Sequence, residues 1–200
     1  MKILLLNYEW PPLGGGAGLV ARDLAREYVR AGHEVEVITM GFQGLPKHEE
    51  TDGIRIRRVP AIRKVQATCE THEMLSYVLS SYFPARYAAK KGGFDVIHCH
   101  FLIPTGLMAV PVARAAKLPI LLTCHGSDIP GFNPDRFTTQ HRMTKPLLRW
   151  ISKRVHIVTP SHYLKGLFQE QIGDYPVEVI PNGIDVERFT PREKGKKILM

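Results

Sequence analysis

The chain has 200 residues, 44% hydrophobic and 23% charged, which suits one large globular domain, or a domain plus a tail, with a core of useful size. Its net charge of +8 points to polyanionic partners (nucleic acid, an anionic membrane surface or phosphate-bearing ligands) or to a solvated basic surface. Three cysteines, Cys69, Cys99 and Cys124, without CxxC spacing argue against a disulfide framework or a zinc site and for reduced thiols in a cytosolic setting. No segment reads as a secretory signal or a membrane span. The apolar run Ile3 to Leu6 is too short, and Thr105 to Cys124 is broken by Pro111, Arg114, Lys117 and Pro119.

In chain order, the apolar run Lys2 to Asn7 predicts a strand buried on both faces. Apolar residues at Val20, Leu24, Tyr28 and Ala31 have helical spacing, and Gly32 follows as a stop. Glu34 to Thr39 predicts a second strand. Gly53 to Val59 alternates apolar and basic residues, the pattern of a strand with one exposed face near a sheet edge. Met74 to Lys91 predicts a helix, Asp95 to His100 a strand, Thr105 to Ala116 a helix and Ile120 to Cys124 a strand. Gln140 to Lys153 predicts a helix with a basic face, Val155 to Thr159 a strand, and Ser161 to Ile172 a helix capped by Ser161. Val177 to Ile180 is a last strand before the turn pair Asn182-Gly183.

This alternation predicts an α/β fold: a Rossmann-like parallel sheet of about seven strands with helices on both faces. The basic run Lys194 to Lys197 and the apolar Ile198-Leu199-Met200 look like the start of another strand. The expected division is therefore a domain over 1–190, with 191–200 as a linker into a further domain.

Ligands of an open parallel sheet bind outside the carboxyl ends of its strands, and the unusual residues fall there. The first strand leads into Gly14-Gly15-Gly16-Ala17-Gly18 and directly into a helix, an arrangement whose amides and dipole favour phosphate. Gly16 to Ala21 fits the G-x-G-x-x-G/A pattern, but nine residues, two of them proline, precede it, and the second strand ends Ile38-Thr39-Met40 without an acidic residue. A nicotinamide or flavin cofactor is therefore not expected. His98 and His100 share one strand face and His125 ends a nearby strand. With Asp128 as the only close acidic residue, they do not have the usual spacing of a metal site. His125, followed by Gly126, is placed to donate to a sugar hydroxyl or phosphate oxygen. Basic residues are not interleaved with aromatics, so nucleic acid is not an expected partner.

The run Lys2 to Gly18, Asp95 to His100, His125-Gly126-Ser127-Asp128, Thr159-Pro160-Ser161, and Ile180 to Asp185 with Phe189 and Pro191 behind it, together resemble family-4 glycosyltransferases of the GT-B fold. The resemblance implies two facing Rossmann-like domains, of which this chain is the N-terminal, acceptor-side one. It implies a retaining transfer from a nucleotide-sugar donor to a sugar or lipid-linked acceptor, without a bound metal or separate cofactor, in the cytoplasm or on the cytoplasmic face of a membrane. It places Gly14, Gly15, Gly16 and Gly18 against donor phosphates and acceptor. His125 would contact the donor sugar as the catalytic candidate, with His100, Gly126 and Asp128 also binding substrate and Asp128 supporting the loop. Ser161 and Asn182 would line the cleft. The family's donor-side basic residue and glutamate motif belong to the second domain, so this chain alone is expected to be inactive.

Two alternatives share the fold: a sugar-nucleotide epimerase, which gives no reason for Pro181-Asn182-Gly183-Ile184-Asp185, and a non-catalytic nucleotide or sugar-phosphate binding module. Basic clusters at Arg142, Lys145, Arg149 and Lys153, and at Arg55, Arg57, Arg58, Arg63 and Lys64, fit an anionic membrane. The long connections Gly41 to Asp52, Pro60 to His72 and Asp128 to Thr139 are expected to help choose the acceptor.

Overall fold

A computed structural model describes residues 1–133, 138–184 and 186, with the backbone alone at 138–143. Eight strands form one sheet. β1 (Lys2–Leu6), β2 (Glu34–Met40), β3 (His48–Thr51), β4 (Ile54–Val59), β5 (Val96–His100), β6 (Ile120–Thr123), β7 (His156–Thr159) and β8 (Val177–Val179) lie in the order β3-β4-β2-β1-β5-β6-β7-β8. All neighbours pair in parallel except β3 and β4.

The helices are α1 (Gly16–Arg30), α2 (Thr71–Lys91), α3 (Leu107–Ala116), α4 (Thr138–Ser152) and α5 (His162–Gln171). Before α3 the chain makes a wide π-type turn at Leu102–Gly106. Ser161 caps α5 by accepting the Leu164 amide at 3.2 Å.

The sheet has one strand more than expected. β3 lies inside the stretch read as a loop, because His48-Glu49-Glu50-Thr51 has no apolar alternation. It forms a two-residue hairpin with β4, Thr51 facing Ile54, and Asp52 and Gly53 turn the chain with φ of 56° and 74°. Positive φ at both positions is what an Asp-Gly turn of the tightest hairpin type requires. β4 is consequently an inner strand, and the charged β3 blunts the edge.

β1 is buried on both faces from Ile3 to Leu6. On one face Leu5 packs with Val35, Val37, Ile54 and Ile56 under α1, whose small Ala21 and Ala25 let the helix sit close. On the other, Leu4, Leu6, Ile38, Ile97 and Leu122 meet α2 and α3. From β1 the chain first builds outward through β2 and later returns to place β5 on β1's other side. The crevice of this doubly wound sheet therefore opens between the carboxyl ends of β1 and β5. Asp185, Phe189, Pro191 and the expected tail strand at 198–200 lie outside the described residues.

Candidate active-site rim

Gly14 has φ +86°, and a Cβ there would stand 2.5 Å from Glu9 Cδ, so only glycine fits. Its amide donates to the Gln66 carbonyl at 2.8 Å, which ties the 60–70 connection to the glycine loop. A Cβ at Gly15 or Gly16 would meet nothing within 4 Å, and both are exposed. Glu9, missed in the sequence, lies beneath the loop and accepts the Gly15 amide at 3.3 Å. Burial raises its pKa, against that hydrogen bond and the nearby Arg63 charge, which lower it. The first-turn amides at Gly16 and Ala17 have no intrahelical partner by geometry and stand at the positive end of α1, where Gly16 is exposed.

Two strands along the rim, His125 follows β6. Its Nε2 lies 2.9 Å from His100 Nδ1, the rings stack 5.1 Å apart, and Phe101 covers it at 4.7 Å. Phe101 also touches Tyr8, ring to ring at 4.9 Å, so aromatic contacts join the β1 loop to His125. Asp128, buried, holds the loop: one carboxylate oxygen accepts the amides of His125 at 2.9 Å and Gly126 at 3.0 Å, and the other accepts the Leu102 amide at 2.9 Å. One side chain thus fixes the connections after β5 and β6 together. Between them Phe101 has φ 72°, ψ 134°, a costly backbone for a non-glycine residue. It is held by its amide on the Thr123 carbonyl and its carbonyl on the Gly106 amide. Gly126, φ +100°, lies against Phe132.

His98 is buried between α1 and β6, bonded to the Tyr28 hydroxyl at 3.1 Å and Thr123 Oγ1 at 2.9 Å. Burial lowers its pKa to about 3, assisted by His125. Burial first, then the neighbouring histidines, holds His100 well below the ordinary imidazole value. His125 is lowered by burial against the opposing pull of Asp128. The cluster is therefore neutral near pH 7. Among the described residues, no group of three or more His, Cys, Asp or Glu is placed to hold a metal ion.

Beside His100 the sheet carries a row of buried polar residues. Leu6 pairs with Ile38 and Cys99, so one step further Asn7 stands between Thr39 and His100, and His100 pairs with Thr123. Asn7, Thr39 and His100 are fully buried. Asn7 Nδ2, Thr39 Oγ1 and His100 Nε2 have no hydrogen-bond partner there, a condition that costs about 1–3 kcal/mol per group.

Of the residues singled out in the sequence, Gly14 to Gly18, His125, Gly126 and Asp128 gather at the ends of β1, β5 and β6. His100 reaches the rim only through His125. Ser161 is half-exposed at the end of β7, and Asn182 is exposed beyond β8, further along the same edge. Several members of the basic clusters are engaged within the fold. Arg58 is buried and paired with Glu49 at 2.6 Å, Arg55 pairs with Glu34, and Arg149 donates to the Ile172 carbonyl. The Arg142 side chain lies outside the described residues.

A doubly wound sheet with a glycine loop at its switch point and polar residues on its strand ends defines an α/β protein whose ligand crevice lies outside the carboxyl ends of its strands. Residues 14–188 match the model of Glycosyltransferase Family 4, and the chain belongs to that family. A glycosyltransferase of Methanocaldococcus jannaschii is 31% identical over 94% of this chain and 48% of its own length. The alpha-monoglucosyldiacylglycerol synthase of Streptococcus pneumoniae is 24% identical over 94% and 48%. The sucrose-phosphate synthase structure from Thermosynechococcus elongatus superposes with a TM-score of 0.75 at 18% identity, over 96% of this chain and 50% of that one, which shows the shared GT-B half-fold. The chain spans about half the length of these relatives.

Proposed function

We propose that the chain forms the acceptor-side half of a retaining glycosyltransferase that moves a hexosyl group from a nucleotide sugar to a lipid- or sugar-type acceptor. The nucleotide sugar is itself a substrate, and no separate cofactor or metal takes part. The observation that carries this reading is the pairing, on one rim, of the open N-terminus of α1 with a neutral His125 held by Asp128. Departure of a nucleoside diphosphate builds negative charge on phosphate, and preorganised amides at a helix start stabilise it. A neutral imidazole offers an N–H to a sugar hydroxyl without placing a second charge in the cleft. The second half of the protein would supply the donor-side groups and exclude water on closure.

The test is to incubate the full-length protein with a panel of nucleotide sugars and with lipid and sugar acceptors, and to read the product's anomeric configuration by NMR. Consumption of one donor with retained configuration is expected. An inverted product removes the retaining assignment, and no transfer from any donor overturns the reading.

A lipid acceptor is favoured by α2. Leu75, Leu79, Phe83 and Tyr87 recur every fourth residue on its solvent face, each between 52 and 71% exposed, and Lys90 and Lys91 follow at its end. Apolar residues flanked by lysines suit the surface of an anionic bilayer. The stripe begins beside Ile62, whose amide donates to Ser76, in the connection that touches the glycine loop.

A further inference from the structure

His125 and His100 share one hydrogen bond, and a neutral pair can make it with either polarity. The polarity decides what His125 offers the cleft. If His100 Nδ1–H donates to His125 Nε2, His125 keeps its proton on Nδ1 and presents a donor. If His125 Nε2–H donates, its Nδ1 presents a lone pair.

The neighbouring strand distinguishes the two. Asn7 Oδ1 accepts the Glu9 amide at 3.1 Å, so the orientation of the Asn7 amide is fixed and its Nδ2 is the unpartnered end. Asn7, directly after β1, and His100 on β5 occupy adjoining positions on the same face, one step beyond Leu6 and Cys99, both fully buried. The unpartnered atoms of the two are Asn7 Nδ2, which can only donate, and His100 Nε2. A proton on His100 Nε2 would set donor beside donor in a buried site. A lone pair there complements the Asn7 donor on the neighbouring strand, although the two atoms make no direct hydrogen bond. The second arrangement sets a lone pair, not a second donor, beside Asn7 and puts the His100 proton on Nδ1.

We infer that Asn7 and His100 are positioning residues: a one-way chain from the Glu9 amide through Asn7 and His100 fixes His125 as its Nδ1–H tautomer, a hydrogen-bond donor for a sugar hydroxyl or phosphate oxygen and not a base. The inference rests on the proposed role of His125 in the cleft. It assigns His100 a place behind the substrate-contacting ring.

Asn7→Asp reverses the sign of the chain, because a carboxylate accepts where the amide donated. Full-length protein with 15N-labelled histidine rings reports each tautomer by NMR near pH 7.5. In the unaltered protein His125 is expected to carry its proton on Nδ1, and Asn7→Asp to move it to Nε2. Asn7→Leu, which removes the donor without adding charge, is expected to leave both tautomers populated, and it serves if Asn7→Asp does not fold. An Nε2–H on His125 in the unaltered protein, or a tautomer indifferent to both substitutions, overturns the chain. Transfer should fall about a hundredfold in Asn7→Asp, the loss typical of one misdirected oxyanion-type donor. A reversed tautomer with undiminished transfer leaves the chain standing and overturns the role given to His125.

Discussion

Gly14 and Gly16 stand two residues apart and serve different ends. Gly14 holds φ +86° with the Glu9 side chain where a Cβ would be. Gly14→Ala should destabilise the protein by roughly 1–3 kcal/mol, read as a lowered Tm. Gly16 begins α1 with open space around it, so alanine fits the helix as well or better. Gly16→Ala should keep or raise Tm while weakening nucleotide-sugar binding measured by calorimetry, because its methyl stands where a phosphate would approach. Equal binding by Gly16→Ala would remove the phosphate from this loop. The glycine run, His125 and Asp128 were legible in the sequence because their residue types are rare in that pattern. Glu9, Asn7 and Phe101 were not. Their importance comes from a carboxylate folded back under a loop, an amide facing a neighbouring strand and a backbone angle, none of which spacing reveals.

At the scale of elements, β5 and the start of the β6 connection carry three histidines whose neutral forms are favoured by burial. Their pKa values are depressed in the folded state, so the unfolded chain binds protons more readily. Stability is fully present above the ordinary imidazole pKa of 6.5. It falls as pH drops below 6.5, for His98 down to about pH 3. Each such histidine contributes about 1.4 kcal/mol per pH unit within its window. Denaturant midpoints should therefore fall steeply between pH 7 and pH 5, and a His98→Gln variant should show a shallower slope. A flat profile would mean that the cluster is hydrated or already charged.

The parallel strands were legible because burial on both faces leaves apolar runs. β3 was not, since a charged edge strand has no such pattern, although Asp52-Gly53 ahead of an alternating run was a usable hairpin signal. The capped α5 was legible down to Ser161. α2 was found, but its outward apolar stripe was not, because position on a helix face depends on which side meets the sheet.

Taken whole, the molecule presents an open rim along one edge and an apolar helix face whose basic end lies at Lys90 and Lys91. Among the described residues no helix is long and apolar enough to cross a membrane. Flotation with vesicles should show the chain bound to anionic lipid and released by Leu79→Glu with Phe83→Glu, with Tm unchanged because both side chains face solvent. Equal binding to neutral vesicles, or no effect of the double substitution, would remove the lipid surface. Of the basic clusters legible in the sequence, Arg55, Arg58 and Arg149 are engaged by ion pairs or a carbonyl.

The family and the half-fold were legible from the ordered set of strand-end motifs. Nothing beyond the half-fold was legible, because the chain spans about half the length of these relatives.

The most direct test of the account is sugar transfer by the full-length protein with His125→Ala. The substitution also leaves buried His100 Nδ1 without its partner, so Tm should fall modestly, while kcat falls about a hundredfold or more. Transfer at the unaltered rate would contradict the account and place the chemistry elsewhere than on this rim.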